Sequence, residues 1–496
     1  MMREGLGLSR RVLAAGMFAG LVHGASACGE VTADPDAGDE YGEADGGGQA
    51  GGDDAGAAGN DAGAPPDALV DCDEGFTGPG CEECTVFVNG DEGSDSNSGR
   101  SWEEPVAGVD VGITRAKSRL ESDDVDRCSV WVREGTYVPG DSREDSFELE
   151  PGVHLYGGFA GFESARGERD FETYETVLSG DLDDDGDPDN NAYHVVIGAD
   201  DATLDGFTIT AGNADVLPGD DRLGGGMLNF DASPALENVV FTDNQAESGG
   251  AMRNEGDSAP TLINVSFIGN EAVFGGAMSN EGDSAPTLIN VSFVGNEADN
   301  GDGGAMRNRG NSAPTLINVS FVGNQAGGSH GGAMNNRATS APTLINVSFV
   351  GNQASSGGAL RTSTSAKAVI FNSILWGNEA GGADEIVHES DRDLVIRSSI
   401  IQGGLGEIGG DGNVDARSDD ILDENPEFVD APDDVRLSQD SEAAIDAGDE
   451  SLIDELDLGE LGVEFPDTDL GGEPRIVDGD GSGEAVIDLG AYEYQP

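Results

Sequence analysis

Residues 284–296 read SAPTLINVSFVGN. The same stretch returns at 312–324 and 340–352, and a near-copy, SAPTLINVSFIGN, occupies 258–270. A second signature travels with them: GGAMRN from Gly249, GGAMSN from Gly275, GGAMRN from Gly303, GGAMNN from Gly331 and GGALRT from Gly357, with outliers GGGMLN at Gly224 and ILWGNEA at Ile374. From Gly224 to Gly357 the starts keep a spacing of about 25–28 residues, in the range of solenoid repeats. Met and Phe hold a constant separation in four copies (252 to 267, 278 to 293, 306 to 321, 334 to 349). All length variation falls after GNEA or GNQA, so one corner accepts insertions while the rest of each coil has a fixed circumference.

Residue choice excludes a helical solenoid. Each unit is rich in Gly, Asn, Ser and Thr, holds a Pro, and alternates Ile263, Val265 and Phe267 against Asn264 and Ser266 with strand period. Leu262 breaks that phase, which points to a nearby bend. The expected fold is all-β, a right-handed parallel β-helix in which each short strand bonds to the coils above and below. Like then sits on like. The stacking predicts a Phe column (Phe241, Phe267, Phe293, Phe321, Phe349), a Met column from Met227 to Met334 in the core, and Asn columns through Asn264 and through Asn270. Asn side chains can bond along such ladders at bends. Ordering a single coil costs on the order of tens of kcal/mol, whereas one buried Phe returns only ~1.5–3 kcal/mol, so neighbouring coils must cooperate.

Towards the N-terminal end, Cys84 precedes TVFV and Cys128 precedes SVWV, and every equivalent position keeps the same offset, including Phe87 and Trp131. Equal offsets place the strands side by side in register, within disulfide reach, and predict a Cys84–Cys128 bridge. Between them Val109, Ile113, Ala116 and Leu120 recur at helical spacing. This helix is expected to cap the open end of the strand stack.

The first residues read as an address. Arg3, Arg10 and Arg11 precede an apolar run from Val12 to Val22, too short to span a membrane, and then GASAC. One reading is an ordinary A-x-A cleavage site; the other is a bacterial lipobox with lipidation at Cys28, against which Ala25 is atypically small. Lipidating Cys28 leaves Cys72, Cys81, Cys84 and Cys128, an even set for disulfides in an oxidising compartment, and this favours the lipid anchor. Residues 29–71 are rich in Gly, Ala and Asp, with no Lys or Arg and a single aromatic, Tyr41. Such a segment is expected to be a disordered tether with a reach on the order of 35 Å. CDEGFTGPGC, from Cys72 to Cys81, resembles the last loop of an EGF-like module and implies a small Cys72–Cys81 staple. The expected organisation is an export signal (1–27), anchor and linker (28–71), disulfide fragment (72–84), cap and first coils (85–223), repeat coils (224–380), and last coils with a C-terminal cap (381–496).

The GGAM and FVGN signatures resemble the repeats of polymorphic outer membrane proteins. The flanks, including SWEEPVAGVDVGITRA, LYGGFAGFE, LDGFTITAGNA, ENPEFVDAPDDVRLSQDSEAAIDAGD and IDLGAYEY, resemble bacterial β-helix surface proteins of the choice-of-anchor type. The resemblance spans roughly 85–494. It implies a β-helix at the cell surface, held at the outer membrane or released, and it carries no agreed catalytic residues. Polymorphic outer membrane proteins end in a membrane barrel, whereas this sequence stops at Pro496 just after GAYEY, so self-transport is not expected.

The net charge is −73, with 97 acidic and 24 basic residues, which would repel a nucleic acid at steering distances. The expected role is non-catalytic: binding or adhesion to a glycan, matrix or other cell-surface ligand, or scaffolding. β-Helices also host polysaccharide lyases and glycoside hydrolases, and such an enzyme is the alternative reading. Hydrolysis needs paired carboxylates on one groove, and a lyase needs a basic residue beside a substrate carboxylate. Lys occurs only at 117 and 367, no Asp recurs in adjacent coils with the right local partners, and Asp205 in LDGFTIT reads as structural. The sharpest metal motif is DLDDDGDPDN, with Asp181, Asp183, Asp185, Asp187 and Asp189 as candidate calcium ligands around Gly186, although Ala192 stands where a calcium loop places its bidentate Glu. DGDGSGE from Asp478 is a weaker version. His23, His154, His194, His330 and His388 are isolated, and no Ser-His-Asp elbow, zinc spacing or phosphate loop is present.

Overall fold

A computed structural model describes residues 84–122, 125–215, 222–382, 385–417, 420–455 and 465–496. The expected export signal, the expected lipidation at Cys28, the expected linker and the expected Cys72–Cys81 staple lie outside the described residues. The chain forms an all-β parallel solenoid of about 11 turns. Each full repeat contributes one long strand, such as Thr287–Val294, and two short ones, Glu297–Ala298 and Met306–Asn308. Stacked, these build a 19-stranded, a 5-stranded and a 10-stranded sheet.

Pairing is in register, copy on copy. Thr287 to Val294 lies against Thr315 to Val322, and that strand against Thr343–Val350. The Phe rings from Phe241 to Phe349 stack with centroids 4.7 to 5.0 Å apart and interplanar angles of 3 to 8°. Met227, Met252, Met278, Met306 and Met334 pair in the same way and are fully buried. In the corner column, Asn270 donates its main-chain N–H and its Nδ2 to Asn296 Oδ1, and Nδ2 also to the Phe241 carbonyl. The pattern continues through Asn324 and Asn352 to Asn378, where Nδ2 donates to Glu385 Oε2.

The bend expected near Leu262 sits at Asn264, whose φ is +55°. One left-handed residue resets the in-out alternation, so Leu262, Val265 and Phe267 point into the core. Ile263, expected to alternate with them, faces outward. Asn tolerates this conformation better than other non-glycine residues, which explains Asn at 264, 290, 318 and 346.

At the N-terminal end Cys84 pairs with Cys128 in the sheet and the two are disulfide-bonded, with a Cα–Cα distance of 4.6 Å. The helix Val109–Ser122 packs on these first strands and puts Val109, Ile113 and Ala116 into the core beside Val86, Val88 and Val130. Leu120 is only partly buried. Its neighbour Arg119 is the buried residue and donates to the main-chain carbonyls of Thr85 and Ser98.

The last coils run to the strand Ile421–Leu422. The chain beyond them, expected as an end cap, lies along the side of the stack. Ile453 and Phe465 pack on the outward column Ile289, Ile317 and Ile345, and Val435 and Tyr492 on Val322 and Val350. Asn318 Nδ2 donates to the Thr468 carbonyl at 2.9 Å, and Ala491 N–H to Ser348 Oγ at 3.0 Å. An uncovered Ile and Val face would be a large apolar patch, and this lateral strap removes it from water.

Candidate functional site: an aromatic cleft beside a carboxyl pair

The outward column that ends under the strap begins differently. Phe87, Trp131 and Tyr156 occupy it in the first coils, followed in register by Asp205 and Glu237, and then by Ile263. One face thus passes from aromatic to acidic to aliphatic, and the strap covers its aliphatic part.

The aromatic part is built by strand register and one loop. Trp102 sits 4.8 Å edge-on to Phe87, and Trp131 stacks on Phe159 at 4.8 Å. Trp102 Nε1 donates to the Glu163 carbonyl, and the Glu163 carboxylate accepts the main-chain N–H groups of Ala160, Gly161 and Phe162. This holds Phe162 out, 77% exposed. The result is a cleft of about 840 Å³ whose lining includes Phe87, Arg100, Trp102, Trp131, Phe162 and Glu163. Trp131 is 8% exposed, and its indole Nε1 is buried without a hydrogen-bond partner. Aromatic walls with peripheral Arg, Glu and Ser suit a ligand that has an apolar face and hydroxyl groups.

The acidic part holds a pair that sequence reading missed. Asp205 and Glu237 are in-register neighbours, so their Cα atoms stand about one strand spacing, ~4.8 Å, apart. Asp205 pairs with Arg169, accepts from Asn238 Nδ2 at 2.9 Å, and is 4% exposed. Arg169 and Arg166 lie over the Tyr156 ring, and Arg166 donates to its hydroxyl. Burial, and then the Asp205 charge, push the Glu237 carboxyl above the usual carboxylate range, against the pull of Arg169 and Arg166. The signal was obscured because Asp205 and Glu237 stand farther apart in sequence than one period of the repeat, so no copy-to-copy offset links them.

Of the five Asp residues expected to hold calcium, the structure brings together Asp181, Asp183 and Asp185, whose carboxylate oxygens lie within 4.8 Å of one another. Asp187 and Asp189 stand outside that group, because Asp187 caps the short helical turn Pro188–Asn190 by accepting from Asp189 N–H. The loop also uses its carboxylates internally: Asp181 accepts from Gly186 N–H, Asp185 from Asp187 N–H, and Asp183 from Asn190 Nδ2. Asp478 joins Asp446 and Asp480 in a second triad. Of the described histidines, buried His154 meets Thr203 Oγ1 through Nδ1 at 2.8 Å and burial lowers its pKa, whereas His330 lies at the surface and pairs with Asp302.

No helix among the described residues is long and apolar enough to cross a membrane. No family profile and no curated protein matches the chain. Among solved structures it is similar to the pectate lyase Pel9A, at 13% identity and a TM-score of 0.42, covering 84% of this chain and 98% of that one. It is also similar to PfbA, a surface adhesin of Streptococcus pneumoniae, at 11% identity and a TM-score of 0.24, covering 62% and 74% of the two chains.

Proposed function

We propose that this chain is an exported, lipid-anchored β-helix of the cell surface, with choice-of-anchor-type flanks, and that it binds a glycan or other surface ligand without chemistry, through the aromatic cleft. The observation that carries this reading is the cleft itself, where Trp102, Trp131 and Phe87 meet around a buried, unpartnered indole N–H. A rigid rod with its site near the tethered end suits display. Aromatic side chains supply contact area at low entropic cost. The test is a glycan array with the full mature chain and its Trp102→Ala variant, each run with and without calcium. Binding that Trp102→Ala removes, at an unchanged melting temperature, supports the reading; equal binding by both chains counts against the cleft.

A second reading, a glycoside hydrolase, rests on Asp205 and Glu237. A carboxyl with a raised pKa next to an Arg-paired carboxylate has the asymmetry of an acid and a nucleophile, and adjacent-strand spacing is close to the ~5–5.5 Å of retaining enzymes. The enclosure of Asp205 under Arg169 weighs against it. Release of reducing ends from a polysaccharide panel, abolished by Glu237→Gln, would favour this second reading.

A further inference from the structure

Within the GGAM-x-N signature, the residue before the Asn is the variable one. Leu228, Arg253, Ser279, Arg307 and Asn335 follow one another in register along the 10-stranded sheet between constant Met and Asn columns, and Arg361 continues them between Leu360 and Thr362. The scaffold repeats, and this column does not.

Arg307 is the anomaly in it. It is 8% exposed, yet no carboxylate pairs with it and no hydrogen bond forms from its guanidinium; its Nε is enclosed without a partner. Among the described residues it is the one buried Arg or Lys in that position. Glu281, the nearest candidate partner, is already engaged, accepting from Arg253 Nη2 at 2.7 Å and from Arg309 Nη1 at 2.9 Å. Asp302 is likewise committed to Ser329, His330 and Arg337. What holds Arg307 is the Phe274 ring, whose centroid lies 4.5 Å from its guanidinium. Burial above all, then the repulsion of Arg309 and Arg253, lowers its pKa despite Glu281 and Asp302. Its Nε is sealed while the rest of the guanidinium keeps slight contact with solvent, and in a chain of charge −73 a carboxylate partner would have been easy to supply.

The next coil repeats the oddity. Asn335, in register with Arg307, is 0% exposed, and neither its Oδ1 nor its Nδ2 has a partner. Buried amides without partners are rare enough to need a cause, and a bound group is one. Arg307 and Asn335 each follow one of the two lengthened corners, whose extra residues bring in Asp302, Ser329 and His330.

We propose that Arg307 and Asn335 form an anion site, on a different face from the aromatic cleft, that takes the carboxylate of a hydroxy acid, namely a uronic acid residue of a glycan. A guanidinium fork matches a carboxylate in two parallel bonds. Asn335 needs an acceptor for Nδ2 and a donor for Oδ1, and a carboxylate offers only acceptors, so the ligand must also bring a hydroxyl. The overall negative field disfavours densely charged anions such as phosphorylated or sulfated polymers and leaves a singly charged sugar acid as the better fit.

The test is titration calorimetry of the full chain with three probes: a galacturonate oligomer, the matching neutral galactose oligomer, and lactate. The galacturonate oligomer is expected to bind at least tenfold more tightly than either of the others. Arg307→Met should abolish this binding while leaving the melting temperature unchanged or raised, because it keeps the packing on Phe274 and removes an unpaired charge. Arg307→Lys should weaken it, since the charge stays and the fork is lost. No galacturonate binding by the parent chain, or binding that survives Arg307→Met, overturns the site. Lactate binding as tight as the oligomer overturns the glycan assignment.

Discussion

Asn270 and Asn296 are locked by two parallel bonds, the main-chain N–H and the Nδ2 of Asn270 both reaching Asn296 Oδ1 at 3.0 Å. A third, from Asn296 Nδ2, closes on the Phe267 carbonyl at 3.0 Å. Replacing Asn296 by Ala would therefore orphan the Asn270 main-chain N–H and the Phe267 carbonyl of the preceding coil. Each orphan costs ~1–3 kcal/mol, so Asn296→Ala is expected to lose about 3–5 kcal/mol in urea denaturation, whereas exposed Gln325→Ala should stay within about 0.5 kcal/mol of the parent. Equal effects would remove the ladder from the list of stabilising features.

This ladder was legible in the sequence because stacked coils must match side chain to side chain, and Asn270, Asn296, Asn324 and Asn352 recur at fixed offsets. A parallel ladder, Asn254 to Asn280 to Asn308 to Asn336 with 2.8 Å bonds, was equally visible in the GGAM-x-N signature but was given no role there. Ile263 was misplaced because a single left-handed residue inverts strand alternation, and sequence alternation alone does not locate it. The strap was hidden for another reason: Phe465 and Tyr492 find their partners in coils far earlier in the chain, with no shared period to betray the contact. Arg307 and Asn335 look ordinary in sequence. Only burial without partners distinguishes them.

The Cys84–Cys128 bridge closes a separation of 44 residues at the end of the stack, where fewer neighbours support each coil. In the chain-entropy view such a loop contributes about 4 kcal/mol. A chain with both residues changed to Ser is expected to lose stability by that amount, and hydrogen exchange should rise first in the strands Cys84–Val88 and Cys128–Arg133. Uniform exchange along the rod would show that the bridge does not secure the end.

Stability should also respond to pH through the strap. Arg475 is buried among Asp469, Asp488 and Glu493, and burial pushes Asp488 up to about 6 and Glu493 up to about 8. A carboxyl whose pKa is raised by folding binds protons more readily when folded, so its contribution is present below its unfolded pKa near 4.5 and is lost as pH climbs through about 8. The melting temperature of the strap, followed by near-ultraviolet dichroism, should fall between pH 5 and about 8. In Glu493→Gln the fall should be shallower. A melting temperature that rises across this window would contradict the assignment.

The most direct measurement concerns register itself. Ser292 Oγ lies 2.9 Å from Ser266 Oγ on the adjacent coil. Cysteines placed at Ser266 and Ser292 should oxidise to a disulfide nearly completely, as mapped by mass spectrometry, because adjacent strands stand within bridging distance. Cysteines at Ser266 and Ser320, two coils apart at about 9.6 Å, should not. Failure of the first pair, or equal bridging of both, would mean that matching residues do not stack one coil upon the next.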